Sequence, residues 1–311
     1  MKMYVVVVNY NSGEYTRKCI ASLASAAIDE ILVLDNASSV DQSAQLDLLP
    51  GLDPRVSVHY ATDNRGFGVG VNSAVQLLNA RPSDRVWILN PDMEVSDGAV
   101  AALTESLDEG VDITSPLILQ ARKGSDPKSV WFAGGSTSLN SGEVRHFTPR
   151  PIEIGNDRVV PTSFMTGAAP MMSVRTWQLT GGFREDLFMY WEDVDWSLRA
   201  TALGLKMAIT PRAVVTHEVG GSSGNGTGKS PLYYYYVQRN RIIVCATHGA
   251  SVFGLLVGAG LRETLRLTLR PALRERRNRV SKLSASARGL AAGVVATRRL
   301  AQSPSAQNVS N

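Results

Sequence analysis

Short apolar runs alternate with helix-length segments in the first part of the chain, and this alternation restricts the folds open to it. The apolar runs are residues 5–8, 31–34, 56–60 and 85–89. Residues 14–26, 69–80 and 97–108 have the spacing of apolar side chains that is typical of helices. Strands that alternate with helices of about a dozen residues form βαβ units with a mostly parallel sheet. We therefore predict an α/β fold.

Polar residues follow four of these elements where each is expected to end. They are Asn9, Asp35, Asn64 and Asp92. A single Asp in this place is an ordinary turn residue. Four such residues in a parallel sheet favour a binding site, because ligands of these sheets bind beyond the carboxyl ends of the strands.

The chain carries its positive charge at one end. The formal net charge is +4, but residues 250–311 hold eleven Lys and Arg against two acids, a net +9 that leaves −5 for residues 1–249. This asymmetry indicates a polyanionic partner, either nucleic acid or an anionic membrane surface. The two cysteines, Cys19 and Cys245, form neither a disulfide framework nor a zinc motif, which favours a reducing compartment. The first apolar run is too short for a signal peptide.

The remaining segments divide the chain into three parts. Residues 117–160 are rich in Gly, Ser and Pro and are interpreted as irregular, and residues 220–228 as a loop. We expect one α/β domain over residues 1–220, a glycine-rich loop with basic helices over 221–301, and a disordered tail over 302–311.

Two acidic motifs are candidates for chemistry. Asp92, in Asn-Pro-Asp-Met-Glu, could hold Mg²⁺ or Mn²⁺ on a diphosphate, although a turn with a helix-capping Asp has the same pattern. Asp193, in Glu-Asp-Val-Asp, is expected on the first turn of a helix that ends at Gly204, free to act as a general base. The alternative is that acids simply favour a helix N-terminus. An ion pair between Asp195 and Arg199 is expected on the same helix.

The apolar face of that helix is expected to consist of Trp191, Val194, Leu198 and Ala202. His217 follows another apolar run and is a candidate ligand, although an isolated His is more often a surface or core residue. Residues 66–70 read Gly-Phe-Gly-Val-Gly, which is not the GxGxxG pattern of dinucleotide-binding folds, so hydride transfer has little support.

The ordered set of motifs resembles glycosyltransferase family 2, which has the GT-A fold, across residues 3–245. The set comprises residues 8–11, 33–38, 64–68, 72, 89–92, 167–168, 181–183, 192–195 and 217. Within the family it is most similar to bacterial rhamnosyltransferases that build cell-wall and O-antigen polysaccharide on polyprenyl-diphosphate lipids.

The resemblance implies a role for each matching residue. Those that would line the nucleotide pocket are Asn9, Asn11, Asp35, Asn64, Arg65, Gly66 and Asn90, with Asp35 on the pyrimidine base. Those that would contact the donor or acceptor sugar are Gly167, Ala168 and Trp191. Asp92 and His217 would hold Mg²⁺ or Mn²⁺, with Asn90 standing where many members carry an Asp. Asp193 would be the catalytic base, and Glu192 stays open as an alternative.

The resemblance also implies the reaction and its partners. The donor would be a nucleoside-diphosphate sugar, with dTDP-rhamnose as the best choice, and the acceptor a polyprenyl-diphosphate-linked saccharide; the sugar would be transferred with inversion. Another hexosyl donor and a non-catalytic sugar-nucleotide or polysaccharide-binding protein are the alternatives. These substrates imply a cytoplasmic protein, peripheral on the inner face of the plasma membrane.

The basic end fits a membrane surface better than nucleic acid. Residues 242–261 are long enough to span a bilayer, but Gly and polar residues favour two helices broken near His248 and Gly249. Leucines at 261, 265 and 269 lie beside arginines at 262, 266 and 270, and Pro271 should kink or restart the helix. No aromatic residue follows Phe253, which disfavours stacking on nucleic acid bases. A coiled-coil or dimer helix, and thus a homo-oligomer, stays open.

Overall fold

The computed structural model describes residues 1–122, 125–148, 159–218 and 228–302. These residues fall into two compact units. The first unit comprises Met1–Ser136, Arg145–Phe188 and Glu192–Ser222, and the second comprises Thr137–Val144, Met189–Trp191 and Ser223–Asn311.

A ten-stranded sheet organises the first unit. Its strands are β1 Met3–Asn9, β2 Glu30–Asp35, β3 Val56–Tyr60, β4 Arg85–Ile88, β5 Met93–Val95, β6 Ile113–Arg122, β7 Ser125–Phe132, β10 Val160–Pro161, β11 Met171–Ser173 and β12 Met207–Glu218. The strand order is β10-β12-β6-β11-β4-β1-β2-β3, and β5 and β7 pair with β12 and β6 beside this path. A separate two-stranded sheet joins β8 Gly135–Ser138 to β9 Glu143–His146. Within the ten-stranded sheet, the neighbouring strands β4, β1, β2 and β3 run parallel, and so do β6 and β12. The short β11 is antiparallel to β4 and β6. The α/β prediction is confirmed.

Helices cover this sheet. Those of the first unit are α1 Gly13–Ser22, α2 Val40–Ser43, α3 Leu49–Leu52, α4 Phe67–Leu77, α5 Ala99–Asp108, α6 Val174–Thr180 and α7 Glu192–Ala202. The strand β1 is buried along its whole length, because its β-branched residues form the centre of the core. Its last residue, Asn9, lies opposite Asp35, the last residue of β2, so the parallel register places both side chains at the carboxyl edge of the sheet.

Two expectations from the sequence are wrong. Residues 117–160 are not irregular throughout, because β6, β7, β8 and β9 lie there. Pro116 lies inside β6, although a proline disfavours a strand in the sequence pattern. The β6–β12 register is irregular next to this proline, where a missing N–H is tolerated. On α7, Ala202 is exposed and Trp196 is fully buried, its indole donating a 2.8 Å hydrogen bond to Thr180. The Asp195–Arg199 ion pair is confirmed at 2.8 Å.

The second unit is helical apart from its share of the small sheet. It contains α8 Pro231–Thr247, α9 Val252–Leu256, α10 Leu261–Arg274 and α11 Arg279–Gln302. The break between α8 and α9 confirms the interruption near His248, whereas α10 continues through Pro271 without restarting. Helix α11 packs closely on α8, since a Cβ at Gly289 would meet the Tyr235 carbonyl oxygen at 2.1 Å. Among the described helices, none combines the length and apolar character needed to cross a membrane.

The residue 220–228 loop and the tail from 302 onward lie almost wholly outside the described residues.

Candidate functional site

Asp35 is the centre of a hydrogen-bond network at the carboxyl ends of β1 and β2. Its buried carboxylate accepts from Asn9 Nδ2 at 2.8 Å, Ser38 Oγ at 2.5 Å and Ser43 Oγ at 2.8 Å. The Ser38 backbone N–H donates a fourth bond at 3.2 Å. Asn11 completes the network, because its N–H donates to Ser38 Oγ at 2.7 Å. The network brings together three residues predicted to line the nucleotide pocket, and adds two serines that the sequence interpretation gave no role.

A second polar cluster surrounds the turn before α4. Asn64 Oδ1 accepts from the Gly66 N–H at 2.9 Å and from Asn36 Nδ2 at 3.1 Å. Gly66 has a φ of +99°, and a Cβ there would lie 2.1 Å from the Phe188 carbonyl oxygen, so only glycine fits. Arg65 is exposed, with its guanidinium 4.0 Å from Glu185. Asn36 thus links the two predicted nucleotide segments.

Asp92 and His217 meet although they lie far apart in sequence. The antiparallel pairing of β5 with β12 sets His217 opposite Met93. His217 Nε2 lies 3.0 Å from Asp92 Oδ2, while its Nδ1 is buried without a hydrogen-bond partner among the described residues. The imidazole also packs edge-to-face on Trp131 at 4.9 Å between ring centroids. Asn90 Oδ1, two residues before Asp92, is another buried acceptor with no partner in the described part of the chain.

These donors fit a divalent cation that is shared with a phosphate group. No group of three or more His, Cys, Asp or Glu side chains is placed to hold a metal within the described ranges. One carboxylate and one imidazole are a small protein set, and Mg²⁺ sites commonly combine one or two carboxylates with substrate phosphates. Asp92 and His217 could therefore hold such an ion together with a nucleoside diphosphate.

Glu192 and Asp193 open α7 in different surroundings. Asp193 is half-buried, and its carboxylate accepts from the Gly167 N–H at 3.1 Å and the Val194 N–H at 2.8 Å. Burial raises the pKa of both carboxyls, and the Asp193 charge raises that of Glu192 further. Glu192 Oε2 is buried without a hydrogen-bond partner in the described part of the chain. Asp193 is thus the carboxyl that more readily carries the negative charge, as a general base requires.

The segment at Gly167 and Ala168 connects the two carboxylate sites. Gly167 donates its N–H to Asp193, and the Ala168 carbonyl accepts from the Asn90 N–H at 2.9 Å. A Cβ at Gly167 would lie 3.3 Å from the Phe67 ring, which leaves little space for a larger residue. This backbone segment brings the region of Asn90 and Asp92 next to Asp193.

A strained turn precedes the two carboxyls of α7. Phe188, Tyr190 and Trp191 all have positive φ, at 64°, 65° and 74°. Such conformations are costly for bulky residues and persist only where the surroundings impose them. In the second unit, the buried Asn240 of α8 donates from Nδ2 to the Met189 carbonyl at 2.9 Å and the Tyr190 carbonyl at 2.8 Å. Trp191 belongs to this turn and to the second unit, whereas Gly167 and Ala168 belong to the first.

Comparisons with known proteins agree with this architecture. A family model described as Glycosyl transferase family 2 matches residues 4–152. The chain is 26% identical to the N-acetylglucosaminyl-diphospho-decaprenol L-rhamnosyltransferase of Mycobacterium tuberculosis, over 90% of this chain and 96% of the relative. Among solved structures, it is similar to GalNAc-T7 with UDP, GalNAc and Mn²⁺, with a TM-score of 0.62 at 17% identity, over 79% of this chain and 48% of that one. It therefore spans about half of the GalNAc-T7 chain.

A second structural relative extends over more of both chains. Staphylococcus aureus TarS 1–349 in complex with UDP has a TM-score of 0.55 at 16% identity, over 98% of this chain and 93% of that one. These likenesses show that the chain has the GT-A fold, as the sequence resemblance implied.

Proposed function

We propose that the protein is a metal-dependent inverting glycosyltransferase, because residues 4–152 match the model of glycosyl transferase family 2. Its proposed donor is dTDP-rhamnose and its proposed acceptor is a saccharide on a polyprenyl diphosphate. The observation that carries the catalytic proposal is the contact between Asp92 and His217 in the same unit as the Asp193 carboxylate. The similarity to the mycobacterial rhamnosyltransferase over most of both chains supports the choice of substrates.

The network at Asp35 would receive the nucleotide base. Asp35 already accepts four hydrogen bonds, which is about the capacity of a carboxylate. A pyrimidine N–H can therefore bond to the Asp35 carboxylate only after the hydroxyl of Ser38 or Ser43 turns away. The hydroxyl that turns away can then face the nucleotide. Asn11 and the exposed Arg65 supply further polar groups for the nucleotide.

Asp92 and His217 would hold Mg²⁺ or Mn²⁺ against the diphosphate of the donor. The bound ion would neutralise the negative charge that develops on the departing nucleoside diphosphate. Asn90 Oδ1, buried and lacking a partner among the described residues, is a further oxygen donor in this region. A site with few protein ligands suits an ion that shares its coordination with the substrate.

Asp193 would take the proton from the acceptor hydroxyl. The hydroxyl oxygen forms its bond to the anomeric carbon as the bond from that carbon to the diphosphate oxygen breaks on the opposite face. The electron pair of the broken bond leaves on the nucleoside diphosphate, and the configuration inverts in one displacement. The N–H groups of Gly167 and Val194 fix the carboxylate in place for this transfer.

The second unit would contact the inner face of the plasma membrane. Four leucines of α10 are exposed at 38–76%: Leu261, Leu265, Leu269 and Leu273. We call this row of side chains the leucine ridge. Arginines at 262, 266 and 270 lie on the neighbouring side of the helix. Exposed leucines beside arginines are typical of helices that lie in the membrane interface, and each basic residue near an anionic leaflet contributes about 1 kcal/mol. We assign catalysis to residues 1–220 and membrane contact to residues 221–301.

A donor screen tests the proposal. The full chain is incubated with a short-chain polyprenyl-diphospho-GlcNAc and with dTDP-rhamnose, UDP-glucose, UDP-GlcNAc or GDP-mannose, each with Mn²⁺, Mg²⁺ or EDTA. We expect nucleoside diphosphate release to be fastest with dTDP-rhamnose and to disappear in EDTA. Faster release from another donor would contradict the rhamnosyl assignment, and no release from any donor would contradict catalysis. Equal rates in EDTA would contradict the metal.

A further inference from the structure

One lysine of the second unit lies over the Tyr233 ring, and two arginines of α10 act electrostatically on the Tyr233 phenol. Lys229 Nζ lies 5.2 Å from the centroid of the Tyr233 ring. Arg266 and Arg270 lie one turn apart on α10, and both are near enough to act electrostatically on the Tyr233 phenol. Arg270 also acts on Lys229, since burial and then this neighbouring charge lower the pKa of Lys229. We call Lys229, Arg266 and Arg270 the cation cluster.

The acids near the cation cluster do not neutralise it. Glu275 acts electrostatically on Lys229, and its Oε1 accepts from the Lys229 backbone N–H at 3.2 Å. The same carboxylate also pairs through Oε2 with the buried Lys282 at 2.7 Å and accepts from Tyr234 at 2.7 Å, so its charge is shared. Glu263 pairs with Arg266 at 2.5 Å. Among the described residues, Lys229 and Arg270 have no carboxylate within ion-pair distance, so the cluster keeps a net positive charge. Lys229 and Arg270 are thus two neighbouring like charges that have no ion-pair partner among the described residues, and such a pair suits an anion with several oxygens.

The cation cluster adjoins the strained turn before the catalytic carboxyls. Tyr233 packs edge-to-face on Tyr190, with ring centroids 5.2 Å apart. Tyr190 is held by Asn240 and precedes Glu192 by two residues along the chain. The leucine ridge lies on the same helix as two of the three cations. One helix thus presents apolar side chains for a lipid chain and guanidinium groups for a phosphate.

We propose that Lys229, Arg266 and Arg270, with the Tyr233 hydroxyl, bind the diphosphate of a lipid-linked acceptor. The identity of this ligand rests on the proposed function, because the acceptor there is a polyprenyl-diphosphate sugar. This site uses other residues than Asp92 and His217, which would face the diphosphate of the donor. The protein would thus use side-chain cations for one diphosphate and a divalent ion for the other.

Binding of farnesyl diphosphate to the full chain, measured by isothermal titration calorimetry, tests this site. We expect Lys229→Gln and Arg270→Gln each to weaken binding about tenfold, because each removes a charge-assisted contact to phosphate. Arg262→Gln is the matched control, since it removes the same charge from an exposed position of the same helix. We expect it to change the affinity less than twofold. Lys229→Arg and Arg270→Lys keep the charge and should bind within about threefold of the unchanged protein.

A parallel titration with dTDP separates the two sources of a diphosphate. Unchanged dTDP affinity in the two glutamine variants supports an acceptor site, whereas an equal loss for dTDP would overturn it in favour of a nucleotide site. Equal weakening by Arg262→Gln would reduce the effect to general charge attraction and also overturn it. Thermal melting identifies any variant that fails to fold. If a glutamine variant does not fold, the affinities of Lys229→Arg and Arg270→Lys for farnesyl diphosphate decide whether the site exists. Binding needs no turnover, so failure of this site is distinguishable from absence of transferase activity.

Discussion

Asn240→Ala should separate the positioning of the two carboxyls that open α7, the proposed catalytic groups, from the stability of the second unit. The substitution removes an amide that donates to the carbonyls of Met189 and Tyr190 at 2.9 and 2.8 Å. Its Oδ1 also accepts from Arg239 Nη1 at 2.6 Å. Each such hydrogen bond contributes about 1 kcal/mol net, so we expect the loss of these three bonds to lower the free energy of unfolding by about 3 kcal/mol. The turn holds bulky residues at positive φ, and the strain released when it relaxes offsets part of this loss.

The relaxed turn should slow transfer, because it is covalently continuous with Glu192 and Asp193. A displacement of about 1 Å at catalytic groups can cost about 100-fold in rate. We therefore expect kcat of Asn240→Ala to fall by 10- to 100-fold. The affinity for dTDP should stay unchanged, since the network at Asp35 belongs to the first unit. Urea unfolding, steady-state nucleoside diphosphate release and dTDP titration give the three quantities.

Gln238→Ala is the matched control for this substitution. Gln238 is also buried on α8, and its Nε2 donates to Thr268 Oγ1 at 2.9 Å and the Thr264 carbonyl at 3.4 Å, away from the turn. It should lose a similar amount of stability with kcat within about threefold of the unchanged protein. If Asn240→Ala keeps a normal kcat despite the stability loss, or if Gln238→Ala slows transfer equally, the positioning role is refuted.

Further predictions concern a buried acid, the proposed metal ligand His217 and the leucine ridge. Burial raises the pKa of Glu192 to about 8. The folded state therefore favours its protonated form, and stability should fall as pH rises from about 4.5 towards 8. Glu192→Gln should remove part of this decline, by up to a few kcal/mol, in melts at pH 5 and pH 8; an unchanged decline would contradict the shift. His217→Ala should weaken Mn²⁺ binding in the presence of dTDP at least tenfold by electron paramagnetic resonance, and unchanged binding would remove His217 from the ligand set. Leu265→Asn with Leu269→Asn should reduce sedimentation with vesicles of 30% phosphatidylglycerol severalfold at fixed salt; equal sedimentation would leave charge alone as the attraction.

The sequence was informative where local pattern and position along a strand determine the structure. Asn9 and Asp35 follow apolar runs, and a parallel register brings such ends together without further information. The contact between Asp92 and His217 is different, because it joins residues 125 positions apart and depends on the pairing of β5 with β12. Only the family resemblance suggested that these two residues act together.

The residues that sequence reasoning missed act through the backbone or through neighbours distant in sequence. Asn240 donates to backbone carbonyl groups, and every residue has such a carbonyl, so the identities of Met189 and Tyr190 do not reveal the contact. Ser43 reaches Asp35 from a helix of four residues that has no clear periodicity. Trp196 rather than Ala202 faces the core because the indole finds a hydrogen-bond acceptor, Thr180, on another helix. Spacing along α7 alone does not contain that information.

Asp193→Asn tests whether Asp193 is the base that takes the proton from the acceptor hydroxyl. The measurement is single-turnover release of nucleoside diphosphate at pH 8, with dTDP affinity determined on the same preparation. Burial raises the pKa of Asp193 to about 6, so at pH 8 this carboxyl is ionised in the unchanged protein, as a base requires. We expect transfer by Asp193→Asn to fall by 10²- to 10⁴-fold while dTDP affinity stays within about twofold. Transfer at a near-normal rate with intact dTDP binding would remove Asp193 from the role of base.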